Sequence, residues 1–343
     1  MNAMDRTDSS KTAALRDILR KSSRIVTVSH TRPDGDAVGS SFGMARWLRS
    51  QGKEVTTLFP DPVPATLDFL FTDTDRASCR IYSEDPDGAA AAVRSADLVI
   101  CLDFPEFHRA EGLEGPLRES KAAKVLIDHH LGPDREAFDL SFSQTDISSA
   151  SELAFWVLDA IGACLPTDAA TALMAGMTTD TNNFANSTYP STLEMAARML
   201  ELGVDRDALI TDIYQSYEER RLRAMGRLLQ EMKITSDGVA YMILTAARRD
   251  ALELGDGDTE GFVNLPLAIR RVRMSLFLRE EDGVFRVSIR SKRGCSANRM
   301  AHKWFHGGGH ELAAGGKLFF PQDIPTPADA AAYIEKVTHE DLC

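Results

Sequence analysis

The sequence contains few cysteines, and their arrangement excludes two kinds of site. Its 343 residues include five cysteines, an odd number, and no two of them form a C-x-x-C pair. A disulfide framework and a thiolate zinc site both depend on grouped cysteines, so we expect neither. This cysteine usage fits a reducing, cytoplasmic environment.

Long apolar runs are also missing. No run approaches the roughly 20 consecutive apolar residues that a membrane helix requires. The polar start, MNAMDRTDSSK, lacks the apolar segment of a signal peptide. We therefore expect neither a signal peptide nor a membrane partner.

Basic residues are fewer than acidic residues. Lys and Arg number 39 against 51 Asp and Glu, which gives a formal net charge of -12 at pH 7. Non-specific binding to long nucleic acid depends on cations that displace counterions from many phosphates. We expect no long nucleic acid as a partner, whereas a short anionic ligand in a local basic pocket remains compatible with this charge.

The glycine fingerprint of dinucleotide-binding enzymes is absent after the first predicted strand. An oxidoreductase of the Rossmann type needs G-x-G-x-x-G at that point. The chain instead has His-Thr-Arg-Pro-Asp-Gly-Asp over residues 30–36. This class of enzyme is therefore excluded.

Short β-branched or apolar runs alternate with helical periodicity in the N-terminal part, which predicts an α/β fold with a mostly parallel, doubly wound sheet. The predicted strands of this sheet are Arg24–Ser29, Glu54–Phe59, Asp97–Leu102 and Ala123–Ile127. We expect this domain to span residues 1–204. A charged helical connector over 205–235 should join it to a smaller α/β domain over 236–343.

Four acidic or histidine-bearing segments follow, or end, predicted elements of the first domain. They are Ser29–Ala37, Leu102–Phe104, Ile127–His130 and Thr179–Asn182. Ligands of open parallel sheets bind outside the carboxyl ends of the strands, and carboxylate and imidazole groups suit Mn, Mg, Fe or Zn. The candidate ligands are His30, Asp34, Asp36, Asp103, His129 and Asp180. Six ligands are too many for one catalytic zinc and suit two divalent ions about 3.5–4 Å apart.

Each of these signals also has an ordinary structural interpretation. Asp34-Gly35-Asp36 alone is typical of a solvated turn, and Asp103 could be a helix N-cap. One of the adjacent histidines His129 and His130 could be a core residue, and Asp180 could hold a turn. Independent caps need not fall in this order at strand ends, so their joint occurrence favours a metal site.

The order of these motifs resembles the DHH family of phosphoesterases. Asp128-His129-His130 resembles the signature of that family, and His30-x-x-x-Asp34-x-Asp36 resembles its first motif. Ser29 stands where the family often has Asp. The chain is too short for the RecJ-type members, and its second domain differs in kind from that of the family's inorganic pyrophosphatases. Its organisation is most similar to the stand-alone group of nanoRNases and pAp phosphatases, and the resemblance covers roughly residues 20–330.

The resemblance implies a role for each residue of the first domain. His30 and Asp34 would hold one metal ion, most readily Mn²⁺, and Asp103 would bridge it to a second. The second ion would be held by three further residues, Asp36, His129 and Asp180. Asp128 would orient a histidine, and His130 would contact the reacting phosphate.

The second domain is expected to bind the anionic substrate. Between Arg270 and Lys303 the chain has ten Arg or Lys residues and three acidic ones, although such charge could also protect an edge strand. Gly307-Gly308-Gly309-His310 resembles the glycine-rich motif of the DHH-associated C-terminal domain. A glycine loop can cradle a phosphate with its N–H groups, and His310 would open a helix whose positive end favours the same anion. The candidate substrate contacts are Arg290, Ser291, Asn298, Gly307, Gly308, Gly309 and His310.

The sequence therefore predicts a metal-dependent hydrolase of short oligonucleotides or 3′,5′-bisphosphorylated adenosine, with 5′-mononucleotides as products. Cyclic dinucleotides or their linear products are alternative substrates. A nucleotide-binding module with a vestigial metal site is a different class of function, and the intact set of six ligands argues against it. The oligomeric state is left open, a homodimer included.

Overall fold

The chain folds as two compact units that divide between Ser216 and Tyr217. A computed structural model describes residues 8–255 and 257–342. None of the helices within these residues combines the length and the apolar character of a membrane-spanning segment. The predicted connector over 205–235 falls partly in each unit.

The first unit is built on a parallel six-stranded sheet in the order β3-β2-β1-β4-β5-β6. Its strands are β1 (Arg24–Val28), β2 (Glu54–Phe59), β3 (Cys79–Ile81), β4 (Leu98–Leu102), β5 (Ala123–Asp128) and β6 (Leu140–Ser143). The central strand β4 is buried along its whole length, as expected for a strand covered on both faces. The predicted doubly wound architecture is confirmed.

Helices cover this sheet and enclose its hydrophobic core. They are α1 (Ser9–Lys21), α2 (Gly35–Ser50), α3 (Asp73–Ser78), α4 (Pro86–Ser95), α5 (Glu114–Glu119), α6 (Ala150–Ala160), α7 (Thr167–Asp180), α8 (Pro190–Glu201) and α9 (Arg206–Tyr214). One large cluster of buried side chains joins α2, α6 and α7 to the sheet. A second cluster, which includes Val26, Val99 and Leu126, lies on the opposite face.

The second unit contains a mixed sheet in the order β11-β12-β10-β9-β8-β7. Its elements are α10 (Glu219–Glu231), β7 (Lys233–Ile234), β8 (Val239–Leu244), α11 (Ala246–Ala251), β9 (Met274–Glu281), β10 (Val284–Ser291), α12 (Ala297–Trp304), β11 (Gly308–Gly309), β12 (Ala313–Phe319) and α13 (Ala330–Leu342). The turn between β9 and β10 has positive φ at Asp282 and Gly283. This is the backbone conformation that a two-residue hairpin turn needs, and β9 and β10 pair as an antiparallel hairpin around it.

Candidate metal centre

Three neighbouring strands deliver candidate ligands to one edge of the first sheet. Strands β1, β4 and β5 are adjacent and parallel, so their carboxyl ends lie side by side. His30 follows β1, Asp103 follows β4, and His129 follows β5. The sheet topology therefore gathers residues that are distant in sequence, as the motif spacing predicted.

The first turn of α2 supplies two aspartates with different environments. Asp34 is the N-cap of α2, and its carboxylate accepts hydrogen bonds from the amides of Asp36 and Ala37 at 3.1 and 3.0 Å. Its side chain stays 52% exposed. Asp36 is buried, and its two oxygens accept from the amides of Ala150 and Ser151 at 2.7 and 2.9 Å. Those amides open α6, where the positive end of the helix dipole stabilises a carboxylate by about 0.5–2 kcal/mol.

A stripe of glycines brings α2 into backbone contact with α7. The stripe, Gly35, Gly39 and Gly43, repeats every four residues and so occupies one helix face. A Cβ atom on Gly39 would lie 2.6 Å from the carbonyl oxygen of Ala172 and 2.7 Å from the amide of Gly176. No side chain fits there, and this close approach places the carboxyl end of α7, with Asp180, beside Asp36.

Asp103 lies at the centre of the resulting cluster. Its Oδ2 is 3.4 Å from Nε2 of His30, and its Oδ1 is 3.3 Å from Nε2 of His129. His30 Nε2 also lies 3.9 Å from an oxygen of Asp34. His129 Nε2 lies 3.8 Å from Asp180 and 3.9 Å from Asp36.

These distances define two adjoining groups of possible ligand atoms. One group is His30, Asp34 and Asp103, and the other is Asp36, His129 and Asp180. Within each group the ligand atoms lie within 4.8 Å of one another. The six side chains predicted as ligands are thus brought together, and Asp103 contacts the histidines of both groups.

The cluster also fits a metal because one buried carboxylate oxygen is poorly hydrogen-bonded. Oδ1 of Asp103 is buried and lies 3.3 Å from Nε2 of His129, yet it accepts no well-aligned hydrogen bond from the described residues. A buried carboxylate oxygen without a well-aligned hydrogen bond is costly, and a metal cation would stabilise it. A donor set of imidazole and carboxylate groups suits transition metals and Mg²⁺.

The ionisation of the two histidines reflects the surrounding carboxylates. Burial lowers the pKa of His30, but Asp103 and the charge of Asp34 outweigh burial and raise this pKa to about 9. Burial likewise opposes the positive charge of His129, and Asp103 and Asp180 nevertheless raise its pKa to about 10. Without a metal ion, protonated imidazoles are therefore the cations of the cluster.

The carboxylates divide into one that is firmly ionised and two that resist ionisation. Burial would raise the pKa of Asp103, but His129 and His30 hold it far below its ordinary value. Burial and the charges of Asp103 and Asp180 raise the pKa of Asp36. Burial, opposed by His129 and reinforced by Asp103, raises the pKa of Asp180 to about 7. Such divergent values concentrate at functional sites.

Backbone and carboxylate partners orient the histidines. Nδ1 of His30 lies 2.9 Å from the carbonyl oxygen of Thr31, and donation to that carbonyl leaves Nε2 free to accept or ligate. Nδ1 of His130 lies 2.8 Å from the buried carboxylate of Asp128. The amide of His130 donates to the same carboxylate at 3.1 Å. His130 is thus held firmly but remains 29% exposed.

Two supporting residues were missed by sequence reasoning. Asp61 accepts hydrogen bonds from the hydroxyl of Thr31 and from the amide of Arg32, the latter at 2.7 Å. It thereby fixes the loop between His30 and Asp34, where Arg32 has a φ of 51°. Glu152 supports the turn before α6. Asp61 lies in a proline-rich turn without a distinguishing motif, whereas Ser149-x-x-Glu152 is a capping signature.

Comparison with known proteins agrees with this geometry. Residues 24–177 match the family described as "DHH family, N-terminal domain". A relative from Thermus thermophilus, named bifunctional oligoribonuclease and PAP phosphatase NrnA, is 32% identical over 300 residues, which cover 86% of this chain and 84% of the relative. The chain belongs to the DHH family.

Other DHH-family relatives match over most of the chain. A Bacillus subtilis protein that also carries the name bifunctional oligoribonuclease and PAP phosphatase NrnA is 29% identical, with 86% of this chain and 89% of the relative covered. The crystal structure of an exopolyphosphatase-related protein from Bacteroides fragilis is 32% identical and superposes with a TM-score of 0.91. That superposition covers 98% of this chain and 97% of the other, so both units have counterparts in one known structure.

The DHH resemblance extended to the glycine-rich segment of the second unit, and there the structure corrects one expectation. His310 does not open a helix. It begins a turn between β11 and β12, in which its amide donates to the carbonyl oxygen of Ala313 at 2.7 Å. The preceding glycines pair with β12 as a short strand, so the chain reverses at His310 and does not coil.

In the segment Gly307–Gly309, predicted to cradle a phosphate, two amides already donate hydrogen bonds within the second unit. The amide of Gly307 donates to the carbonyl oxygen of Ala301 at 3.2 Å. The amide of Gly309 donates to the side-chain oxygen of Asn298 at 3.0 Å. These two amides are therefore occupied in this structure, and the direct contact that Asn298 makes is with the glycine segment.

Two other predicted contacts lie at the end of β10. The hydroxyl of Ser291, which is buried, donates to the carbonyl oxygen of Cys295 at 2.7 Å. The guanidinium of Arg290 donates to the carbonyl oxygen of Ile289 at 3.0 Å. The side chains of Arg290 and His310 are both half-buried.

Proposed function

We propose that this chain is a phosphoesterase that hydrolyses short oligonucleotides and 3′,5′-bisphosphorylated adenosine to 5′-mononucleotides, using two divalent metal ions, with Mn²⁺ the expected metal. The observation that carries the proposal is the buried carboxylate of Asp103, whose two oxygens lie 3.4 Å from Nε2 of His30 and 3.3 Å from Nε2 of His129. The names of the two curated relatives support the same substrates.

The two groups of side chains divide the proposed metal ligands. His30 and Asp34 would hold one ion, and Asp36, His129 and Asp180 would hold the other, with Asp103 shared between them. Bound there, such ions would supply a water molecule of lowered pKa and neutralise charge on the phosphoryl oxygens.

The protein's own residues position the substrate. Asp128 orients His130 through Nδ1, and Nε2 of the doubly protonated imidazolium would donate to a phosphoryl oxygen. This donor stabilises the charge that develops in the transition state. Asp36 stays aligned because two amides of α6 hold both of its oxygens.

Residues 1–204 are the proposed catalytic domain, and residues 236–343 the proposed substrate-binding domain, with 205–235 as the segment between them. In the latter, Arg290 and His310 would bind a phosphate of the substrate, and Asn298 would support the segment Gly307–Gly309. The hydroxyl of Ser291 already donates to the carbonyl oxygen of Cys295. Ser291 would therefore support substrate binding by fixing the backbone at the end of β10.

The test is a panel assay of the purified chain with Mn²⁺. Dinucleotides, pentanucleotides, 3′,5′-bisphosphorylated adenosine and a cyclic dinucleotide are each offered, and the products are separated by chromatography. We expect 5′-mononucleotides from the linear substrates, loss of turnover after chelation, and recovery with Mn²⁺ or Co²⁺ but not with Ca²⁺, because imidazole ligands suit transition metals. Full turnover after exhaustive chelation would refute the metal mechanism, and selective hydrolysis of the cyclic dinucleotide would replace the substrate assignment.

A further inference from the structure

Glu152 is a buried carboxylate that lies close to the metal centre without touching a candidate ligand. Its side chain is fully buried in the first turn of α6. Among the described residues it has no Lys or Arg partner, but it accepts four hydrogen bonds. The donors are the amide of Ser148 at 3.0 Å, the hydroxyl of Ser148, the hydroxyl of Thr192 at 2.7 Å and the indole of Trp156 at 3.2 Å.

These donors come from separate segments of the first unit. Ser148 precedes α6, Thr192 lies in the first turn of α8, and Trp156 lies one turn further along α6. An isolated buried carboxylate is unfavourable unless hydrogen bonds compensate for lost hydration. Glu152 therefore ties the start of α6 to α8 through hydrogen bonds that reach both of its carboxyl oxygens.

The turn that Glu152 ties down is the turn that holds Asp36. Ser149 caps α6, and its hydroxyl oxygen accepts from the amide of Glu152 at 3.0 Å. The next two amides, of Ala150 and Ser151, donate to the two oxygens of Asp36. The position of Ser148–Ser151 thus sets the direction in which the Asp36 carboxylate points.

We propose that Glu152 is a positioning residue for the metal centre, acting through Ser148 and the amides of Ala150 and Ser151 on Asp36. The inference rests on the proposed function, because it assigns to Asp36 a metal ion shared with His129 and Asp180. With both oxygens of Asp36 anchored by amides, their remaining lone pairs would be held in a fixed orientation for a metal ion. A metal bound by fixed ligands needs no reorganisation of the protein.

The carboxylate of Glu152 is required in place of an amide because donors approach both of its oxygens. Oε2 faces Ser148 and Thr192, whereas Oε1 faces the indole N–H of Trp156. A glutamine of the same size has one acceptor oxygen, so its NH₂ group must face a donor. The unsatisfied contact would shift the turn before α6 and, with it, the orientation of Asp36.

The experiment compares Glu152→Gln with Asp159→Asn, which makes the same chemical change near the other end of α6. Asp159 pairs at the surface with Arg198 at 3.4 Å. Isothermal titration calorimetry measures Mn²⁺ affinity, and dinucleotide hydrolysis is followed against Mn²⁺ concentration. We expect about tenfold weaker Mn²⁺ binding in Glu152→Gln, in the range seen when supporting partners of metal ligands are removed. The half-activating Mn²⁺ concentration should rise in parallel, the substrate KM at saturating Mn²⁺ should stay unchanged, and Asp159→Asn should match the wild type.

Equal Mn²⁺ affinity in the two folded variants would overturn the positioning role, whatever their melting temperatures. If Glu152→Gln does not fold, Thr192→Val removes one donor and keeps the carboxylate. It should weaken Mn²⁺ binding in the same direction by a smaller factor, and wild-type affinity in that variant would also overturn the inference. A wild-type chain that binds no Mn²⁺ would instead refute the proposed function.

Discussion

Asp103 combines an unusual backbone with a central position among the candidate ligands. Its φ is 65°, in the left-handed region that side-chain-bearing residues other than Asn and Asp seldom occupy. Its amide donates to the carbonyl oxygen of Ile127 at 3.1 Å, so the neighbouring strand holds the turn. The unfavourable positive φ therefore occurs at the residue whose carboxylate contacts two imidazoles, those of His30 and His129.

Asp103→Asn tests the shared carboxylate with little change of shape, since Asn also tolerates positive φ. We expect kcat to fall at least about a hundredfold, because one substitution disturbs both proposed ion sites. The matched control is Asp97→Asn, at the opposite end of β4, where Asp97 accepts from the amides of Ser23 and Arg24. Steady-state kinetics with Mn²⁺ measure the effect, and a loss of less than tenfold in Asp103→Asn would contradict the bridging role.

Proton release on metal binding follows from the raised pKa values of His30 and His129, about 9 and about 10. A raised pKa means that the metal-free protein binds these protons at neutral pH, whereas a ligating imidazole must give its proton up. Mn²⁺ affinity should therefore increase from about pH 6 to about pH 9 and level off above about pH 10.

Calorimetry in buffers with different ionisation enthalpies measures this proton release directly. We expect more than one proton to be released per chain at neutral pH, since Asp180 also has a raised pKa, of about 7. Affinity that is independent of pH over the same interval, or net proton uptake, would contradict the electrostatic description of the cluster.

At the scale of elements, the contact between α2 and α7 predicts that Gly39→Ala is destabilising. Its new Cβ would meet backbone atoms of Ala172 and Gly176, which cannot rotate away. We expect a loss of about 1–3 kcal/mol in the free energy of unfolding and weaker Mn²⁺ binding, because Asp36 and Asp180 would be moved apart.

Gly226→Ala in α10 is the matched control for Gly39→Ala. A Cβ at Gly226 meets no atom within 4 Å, so the same substitution should stabilise the helix by about 1 kcal/mol or less. Urea unfolding curves of both variants give the comparison. Equal effects of the two substitutions would show that helix propensity, and not the interhelical contact, governs Gly39.

The elements that hold the ligands were predictable because they are regular. Strands β1, β2, β4 and β5 are runs of five or six residues rich in apolar or β-branched side chains, and ligand motifs directly follow β1, β4 and β5. The short edge strand β3, with three partly exposed residues, lacks such a run and was not predicted. Strand β6 has only four residues and was likewise missed.

Contacts between segments that are far apart in the sequence could not be predicted from the sequence pattern. Nothing local to Ser151 indicates that its amide binds Asp36, which lies 115 residues earlier. The turn at His310 was wrongly predicted as a helix start because Gly-Gly-Gly-His resembles a phosphate-binding loop. Its actual course is decided by pairing of Gly308 with Gly315 and of Gly309 with Ala314.

The whole molecule carries a net charge of -12, which predicts a limit on substrate length. A long polyanion would be repelled by the acidic surface, whereas a substrate of about two to five nucleotides exposes few phosphates to it. We expect kcat/KM with Mn²⁺ to fall for longer single strands. Equal or better hydrolysis of a long strand would indicate a processive exonuclease.

His310→Ala should raise KM for short substrates, because the proposed contact binds a phosphate of the substrate. Its control is His339→Ala, a change at an exposed histidine of α13 in the same unit that lies near Asp237. Steady-state kinetics on a dinucleotide measure both variants. Identical KM values would remove His310 from the substrate site.

The glycine stripe of α2 has a consequence for the order in which the chain folds during its synthesis. Three glycines within Gly35–Ser50 lower the intrinsic stability of this helix by about 1 kcal/mol each relative to alanine. Contact with α7 compensates for that loss, yet α7 begins only at Thr167. On the ribosome, N-terminal segments emerge first. The helix α2 therefore lacks its stabilising contact until α7 has emerged. Asp34 and Asp36 therefore leave the exit tunnel long before their final partners, and the six candidate ligands can come together only after Asp180 has been synthesised.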